Sequence, residues 1–202
     1  LCRKSPGAIK TYDVDLTDPA ALELFVRDVA ARYPTPTHLV HLPALRVVNT
    51  RFKNFDEDRF ERDMSVQIRS AVKLCKTFLP AMAKARQGRV LFMLTSYLLG
   101  APPKNTAAYV MVKSTLQGLA KSLAADYASF GVTVNCVMPS MMETKFLADT
   151  SDLIVQASAE ANPMKRNARV EDVVPAMAFL LSEEAGFITG VTLPVTGGSA
   201  FL

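Results

Sequence analysis

Tyr109 and Lys113 stand four residues apart in the segment AAYVMVK. On a helix such positions share a face, which brings a lysine ammonium alongside a phenol. A nearby cation favours phenolate and lowers a tyrosine pKa from its ordinary value of about 10. A phenol tuned in that way serves as a general acid or base. Ser96 precedes Tyr109 by thirteen residues and offers a hydroxyl that would hold a carbonyl oxygen at the same point. The pair by itself carries little weight. Five Tyr and eleven Lys among 202 residues give about a quarter of a Tyr-x-x-x-Lys pair by chance. A tyrosine at a helix start is ordinarily just packed, so the meaning of the pair depends on the elements that position it.

The chain alternates strand and helix signals. Residues 9–14, with Ile9, Thr11, Tyr12 and Val14, predict a short strand. Thr17 or Asp18 caps a helix opened by Pro19, carried by Leu22, Phe25, Val26 and Val29, and stopped by Pro34 and Pro36. Residues 38–42 read as a short buried strand. A long helix is predicted from Asp58, where Phe60, Met64, Ile68, Ala71, Cys75, Phe78 and Met82 form one stripe, with Pro80 kinking or ending it. Residues 89–95 form a second buried strand. A loop over 96–106 leads to a second long helix from Ala107, capped at Gly131. Residues 132–138 are a third buried strand. The stretch 140–165 is less regular, and its Met141, Met142, Phe146 and Leu147 read as a cover. A helix over 171–182 and a last strand over 187–195 follow, with Pro194 suited to a strand terminus or edge. Apolar strands separated by helices predict a parallel sheet covered on both faces. This is a three-layer, doubly wound α/β architecture, Rossmann-like, in one domain over residues 1–202. Ligands in such sheets bind beyond the carboxyl ends of the strands, where Ser96 stands.

Composition narrows the partners. The chain is 50% hydrophobic and 21% charged, with a net charge of +4, which excludes a disordered chain. No run approaches the roughly 18 apolar residues of a membrane span, so no membrane partner is expected. The basic residues are dispersed without an aromatic platform, so no nucleic-acid partner is expected. Cys2, Cys75 and Cys136 are an odd number of widely spaced thiols, which argues against a disulfide framework and favours a cytoplasmic protein. With His38 and His41 as the two histidines, no metal-ligand pattern forms.

The order of Ser96, Tyr109 and Lys113, followed by VNCVMPSMMET and ITGVTLPVTGG, resembles the short-chain dehydrogenase/reductase (SDR) family, the 3-oxoacyl-carrier-protein reductases in particular. The likeness runs from about Lys10 to Phe201. It implies an NAD or NADP cofactor and a small-molecule substrate, a carbonyl to be reduced or an alcohol to be oxidised, with a 3-oxoacyl thioester as one candidate. By resemblance, Ser96 would bond the substrate oxygen and Tyr109 would pass the proton. Lys113 would lower the tyrosine pKa and bind the nicotinamide ribose. Asp15 and Leu16 would touch the adenine ring; Pro139, Met142 and Thr144 would border the nicotinamide. As plain structural residues, Asp15 is a turn residue and Thr144 a helix cap. The helices over 58–82 and 107–130 match a family dimer contact, so a homo- or hetero-oligomer is expected.

The chain also departs from the family. The family's glycine-rich turn, which brings backbone to a pyrophosphate, has no counterpart here, since Gly7 is isolated and Gly88 is the next glycine. The expectation is a chain lacking the first βαβ portion of the fold, with a natural short form as the alternative. The family's Asn-Asn-Ala-Gly becomes His41-Leu42-Pro43-Ala44, leaving Pro43 and Ala44 as the cofactor-side residues. Gln67 stands where the catalytic asparagine would stand, unless it is an ordinary helix residue. Ser140 replaces a glycine, so a positive φ there would carry strain. These losses support a second reading, a catalytically impaired subunit acting as a structural or regulatory partner. A different ligand-binding module on the same fold is a third.

Overall fold

The computed structural model describes residues 9–147 and 150–201, so Cys2 and Gly7 lie outside the described residues. Four strands form one fully parallel sheet: β1 (His38–His41), β2 (Gly88–Met93), β3 (Val132–Pro139) and β4 (Thr192–Val195). They are ordered β1-β2-β3-β4. Val40 pairs with Leu91, and Leu91 in turn with Asn135. β3 is buried along its whole length, as the apolar run VTVNCVM predicts for a strand covered on both faces.

The alternation of side chains along β2 and β3 divides the core into two layers. Val90, Phe92, Val134 and Cys136 face α1 (Pro19–Arg32), α3 (Ser70–Ala85) and α4 (Ala107–Tyr127). Leu91 and Val137 face α6 (Val170–Leu181). This is the predicted three-layer arrangement. Asp18 caps α1 by accepting from the Ala20 amide, with Pro19 at the first helical position. Gly131 ends the segment after α4 with a φ of +73°.

The long helix expected from Asp58 begins one residue earlier, as α2 (Glu57–Met64). It runs through a π-helical turn, Ser65–Arg69, directly into α3. Pro80 does not end it, because α3 continues to Ala85 and stops where Arg86 turns left-handed at φ 54°.

Two predicted strands differ. Residues 9–14 form no strand among the described residues; a strand exists only by bonding a neighbour, and here Tyr12 packs edge-on to Phe25 instead. The last strand is confined to Thr192–Val195. Its predicted first half is a turn in which Asn135 donates to the Ile188 carbonyl and accepts from the Val191 amide. The irregular stretch holds α5 (Asp152–Ala161). Among the described residues, no helix is long and apolar enough to cross a membrane.

Candidate active site

Three neighbouring strands end side by side, and the residues that follow them wall one cavity of about 390 Å³. Leu42 and Ala44 come after β1; Met93, Leu94, Thr95 and Tyr97 lie at the end of β2; Pro139, Ser140, Met141 and Met142 come from the end of β3. α4 contributes Tyr109 and Lys113 from its first two turns. Thr144, Phe146, Leu147, Thr150 and Ile154 close the other side, as the predicted cover does. A polar edge thus meets a mostly apolar hollow, the usual make-up of a small-molecule site.

Lys113 is 2% exposed. Its Nζ donates to the Met93 carbonyl at 2.8 Å and lies 5.8 Å from the centre of the Tyr109 ring. Burial pulls the ammonium down to about 8, and the charge of Asp63 works against that. The Tyr109 phenol moves the opposite way from the sequence expectation. Burial pushes it up to about 12; a hydrogen bond with the Thr95 hydroxyl lowers it, and Tyr97 and Asp63 raise it further. The reason is burial of both groups: Lys113 gives up its own charge near 8, below the range in which the phenol titrates, so desolvation of the phenolate prevails.

Of the two neighbouring hydroxyls, that of Thr95 lines the cavity with Tyr109 and lowers its phenol, while Ser96 is not among the lining residues. Thr95 is extended (φ −150°, ψ 144°), whereas Ser96 opens the 3₁₀ turn Ser96–Leu98 and does not line the cavity. Successive side chains in extended backbone point opposite ways, so a one-residue difference decides which hydroxyl faces the phenol. The signal is present in the sequence, since Thr95 closes the run RVLFMLT. It is hidden because the strand ends at Met93, two residues before the predicted end. Tyr97, edge-on to Tyr109 with ring centres 6.0 Å apart, is a further site residue that the sequence reading misses.

Gln67 does not reach the cavity. It is fully buried in the π-helical turn, its Nε2 donates to Asp63 Oδ1 at 2.7 Å, and its Oε1 has no hydrogen-bond partner among the described residues. His41 is 2% exposed, with Nε2 2.9 Å from Ser70 Oγ. Burial, with a contribution from Lys113, lowers its pKa to about 4, so it is a neutral packed residue at neutral pH.

Of the predicted cofactor-side residues, Ala44, Pro139, Met142 and Thr144 line the cavity and Pro43 does not. Thr144 also accepts from the Phe146 amide, so it caps a turn while facing the hollow. Ser140 carries no left-handed strain, since the positive-φ non-glycine residues among those described are Arg86, Asn105 and Lys165. Asp15 lies away from the cavity in a turn, accepting from the Thr17 amide and hydroxyl at 2.8 and 2.7 Å. Leu16 packs on the core formed with α1. The donor set at the cavity fits the ribose and amide of a nicotinamide: Lys113 has three N–H groups, one of them given to Met93, and the hydroxyl-bearing Thr144 lines the same cavity.

Known proteins resemble this chain in sequence and in fold. A family model described as "Enoyl-(Acyl carrier protein) reductase" matches residues 1–200. The 3-oxoacyl-[acyl-carrier-protein] reductase FabG of Escherichia coli (strain K12) is 32% identical over 185 residues, 92% of this chain and 75% of the relative. A solved structure from Beutenbergia cavernae, described as an NAD(P) dependent gluconate 5-dehydrogenase with bound NADP, has a TM-score of 0.85 and 26% identity, covering 92% of this chain and 74% of its own. Another, described as a short chain dehydrogenase/reductase family protein, has a TM-score of 0.79 and 28% identity, covering 92% and 74%. Sequence and fold therefore agree over nearly the whole chain, and it belongs to the short-chain dehydrogenase/reductase family of NAD(P)-dependent oxidoreductases.

Proposed function

We propose that this chain reduces the carbonyl of a 3-oxoacyl thioester, with Tyr109 as proton donor, Thr95 holding the carbonyl oxygen and Lys113 anchoring the nicotinamide ribose. One observation carries the reading: Thr95 and Tyr109 line the wall of one mostly apolar cavity together with the buried ammonium of Lys113. The thioester is suggested by the likeness to FabG and by a lining of Leu42, Val47, Met141, Met142, Phe146 and Ile154 that suits an acyl chain.

The nicotinamide cofactor, when bound, supplies the hydride to the carbonyl carbon. Thr95 donates to the carbonyl oxygen and orients it toward Tyr109. As negative charge grows on that oxygen, the Tyr109 proton transfers to it, and an alcohol results. A phenol raised to about 12 stays protonated at neutral pH, which is the state a reduction needs. Lys113, Ala44, Pro139, Met142 and Thr144 line the cavity where they would hold the nicotinamide end. Asp15 and Leu16 are assigned to the adenine end through the family resemblance alone. An oligomer through α3 and α4 belongs to the same proposal, because Val72 and Met111 on those helices are 44% and 45% exposed.

The test follows NADPH and NADH oxidation with acetoacetyl-CoA in wild type, Thr95→Val, Ser96→Ala and Tyr109→Phe. Losing the Thr95 hydroxyl is expected to lower kcat about a hundredfold, and losing the phenol about 10²- to 10⁴-fold. Ser96→Ala is expected to act like wild type. A Ser96→Ala enzyme as damaged as Tyr109→Phe, beside an intact Thr95→Val, overturns the assignment.

A further inference from the structure

Tyr109 borders a second, smaller cavity of about 40 Å³, and Tyr109 and Val47 are the residues common to both. The small cavity is lined by Asp63 of α2, together with Asp56, Arg59 and Arg46. It offers room for about one water molecule. Asp63 is fixed in place there. Its Oδ1 accepts from Gln67 Nε2 at 2.7 Å and from the Leu45 amide at 3.4 Å. Gln67 reaches it from the π-helical turn, a distortion often found at functional positions.

We propose that Asp63 is a positioning residue for the proton transfer, its carboxylate pinned by Gln67 behind Tyr109 and setting, through its charge, which protonation states of Tyr109 and Lys113 the site uses. This rests on the reading of Tyr109 as proton donor. A carboxylate favours both the neutral phenol and the charged ammonium, and it acts in that direction on both residues here. It therefore opposes the burial that would strip Lys113 of its charge, and it adds to the burial that keeps the proton on Tyr109.

The other groups facing the pair come from every packed element. Tyr97, after β2, raises the phenol, and Cys136 of β3, its thiol pushed up to about 12 by burial, is neutral where Lys113 titrates. His41 of β1 is neutral at working pH. Arg59 donates to the Arg46 carbonyl at 2.7 Å on the rim of the small cavity. Asp63 is the carboxylate that acts on both members of the pair.

The experiment titrates Lys113 directly in the whole chain. Isotope-labelled lysine is followed by NMR, and the Lys113 signal is assigned by its loss in Lys113→Arg. Wild type is expected to titrate near 8. Asp63→Asn is expected to lower the midpoint by about one pH unit, a tenfold smaller ratio of charged to neutral Lys113 at fixed pH. Asp63→Glu is expected to stay near wild type. In parallel, the alkaline limb of the reductase profile in kcat/KM should move down in Asp63→Asn and return in Asp63→Glu. A merely structural role would scale the curve without moving the limb. Asp63→Ser serves as a second neutral variant should the amide fail to fold. An unchanged Lys113 midpoint in a folded neutral variant overturns the proposal. The NMR readout needs no turnover, so an inactive wild type with a shifted midpoint rejects the reductase reading, and the proton-transfer role with it, while the charge coupling of Asp63 to Lys113 stands.

Discussion

Tyr109, Lys113 and His41 titrate away from their ordinary values, and each has a pH consequence. In the reductase reading, Tyr109 remains a donor through the neutral range, so the first group to fail as pH rises is Lys113. Its ammonium is lost above about 8, and the rate of reduction should decline from there. A pH profile of kcat/KM checks this; a rate that holds steady to pH 10 contradicts it. His41 affects stability instead. Its pKa is about 4 in the folded chain, against an ordinary value of 6.5 for a solvated histidine, so the unfolded chain binds the proton first as pH falls. Stability is full above about 6.5 and is lost progressively as pH drops toward 4. Between pH 7 and pH 5 the cost is about 2 kcal/mol at roughly 1.4 kcal/mol per pH unit. Urea unfolding at the two pH values should show this loss in wild type and not in His41→Asn, which keeps a polar partner for Ser70 but does not titrate.

At the scale of elements, the joint between β3 and β4 is the one most exposed to a single change. Asn135 is 1% exposed and bonds both the Ile188 carbonyl and the Val191 amide. Asn135→Ala leaves both groups unpaired and should cost about 2–3 kcal/mol. Hydrogen exchange would show the loss first in residues 188–195. Gly131 is equally constrained, since an added Cβ would stand 2.6 Å from the Arg86 carbonyl oxygen at a φ of +73°. Gly131→Ala should lower stability by about 1–3 kcal/mol in chemical denaturation. The same elements show where local signals mislead. Residues 9–14 have strand chemistry but pair with no strand among the described residues, and the run after Phe187 is apolar, yet Gly190 turns left-handed at φ +76° and the pairing starts only at Thr192.

For the molecule as a whole, the long stripes of α3 and α4 supply two demands, a core face and the proposed contact with a second copy. Charged replacements of Val72 and Met111, each to Lys, should leave the fold intact, because both residues are partly solvated. They should lower the mass seen by analytical ultracentrifugation. An unchanged oligomer would place the contact elsewhere, and a monomeric wild type would remove it.

The order of elements, the parallel sheet, the two core layers and the pair Tyr109–Lys113 are all determined by local residue order: apolar runs, helical spacing, caps and the i, i+4 geometry of one helix. The folded structure decided what depends on residues distant in sequence. It put Thr95 rather than Ser96 against Tyr109, because strand ends are fixed by pairing with β3 and not by the apolar run itself. It raised the phenol instead of lowering it, because burial is a property of the packed site and strips Lys113 of its charge before the phenol titrates. It brought Asp63 behind that phenol across some forty-six residues of chain, a proximity that no local pattern encodes.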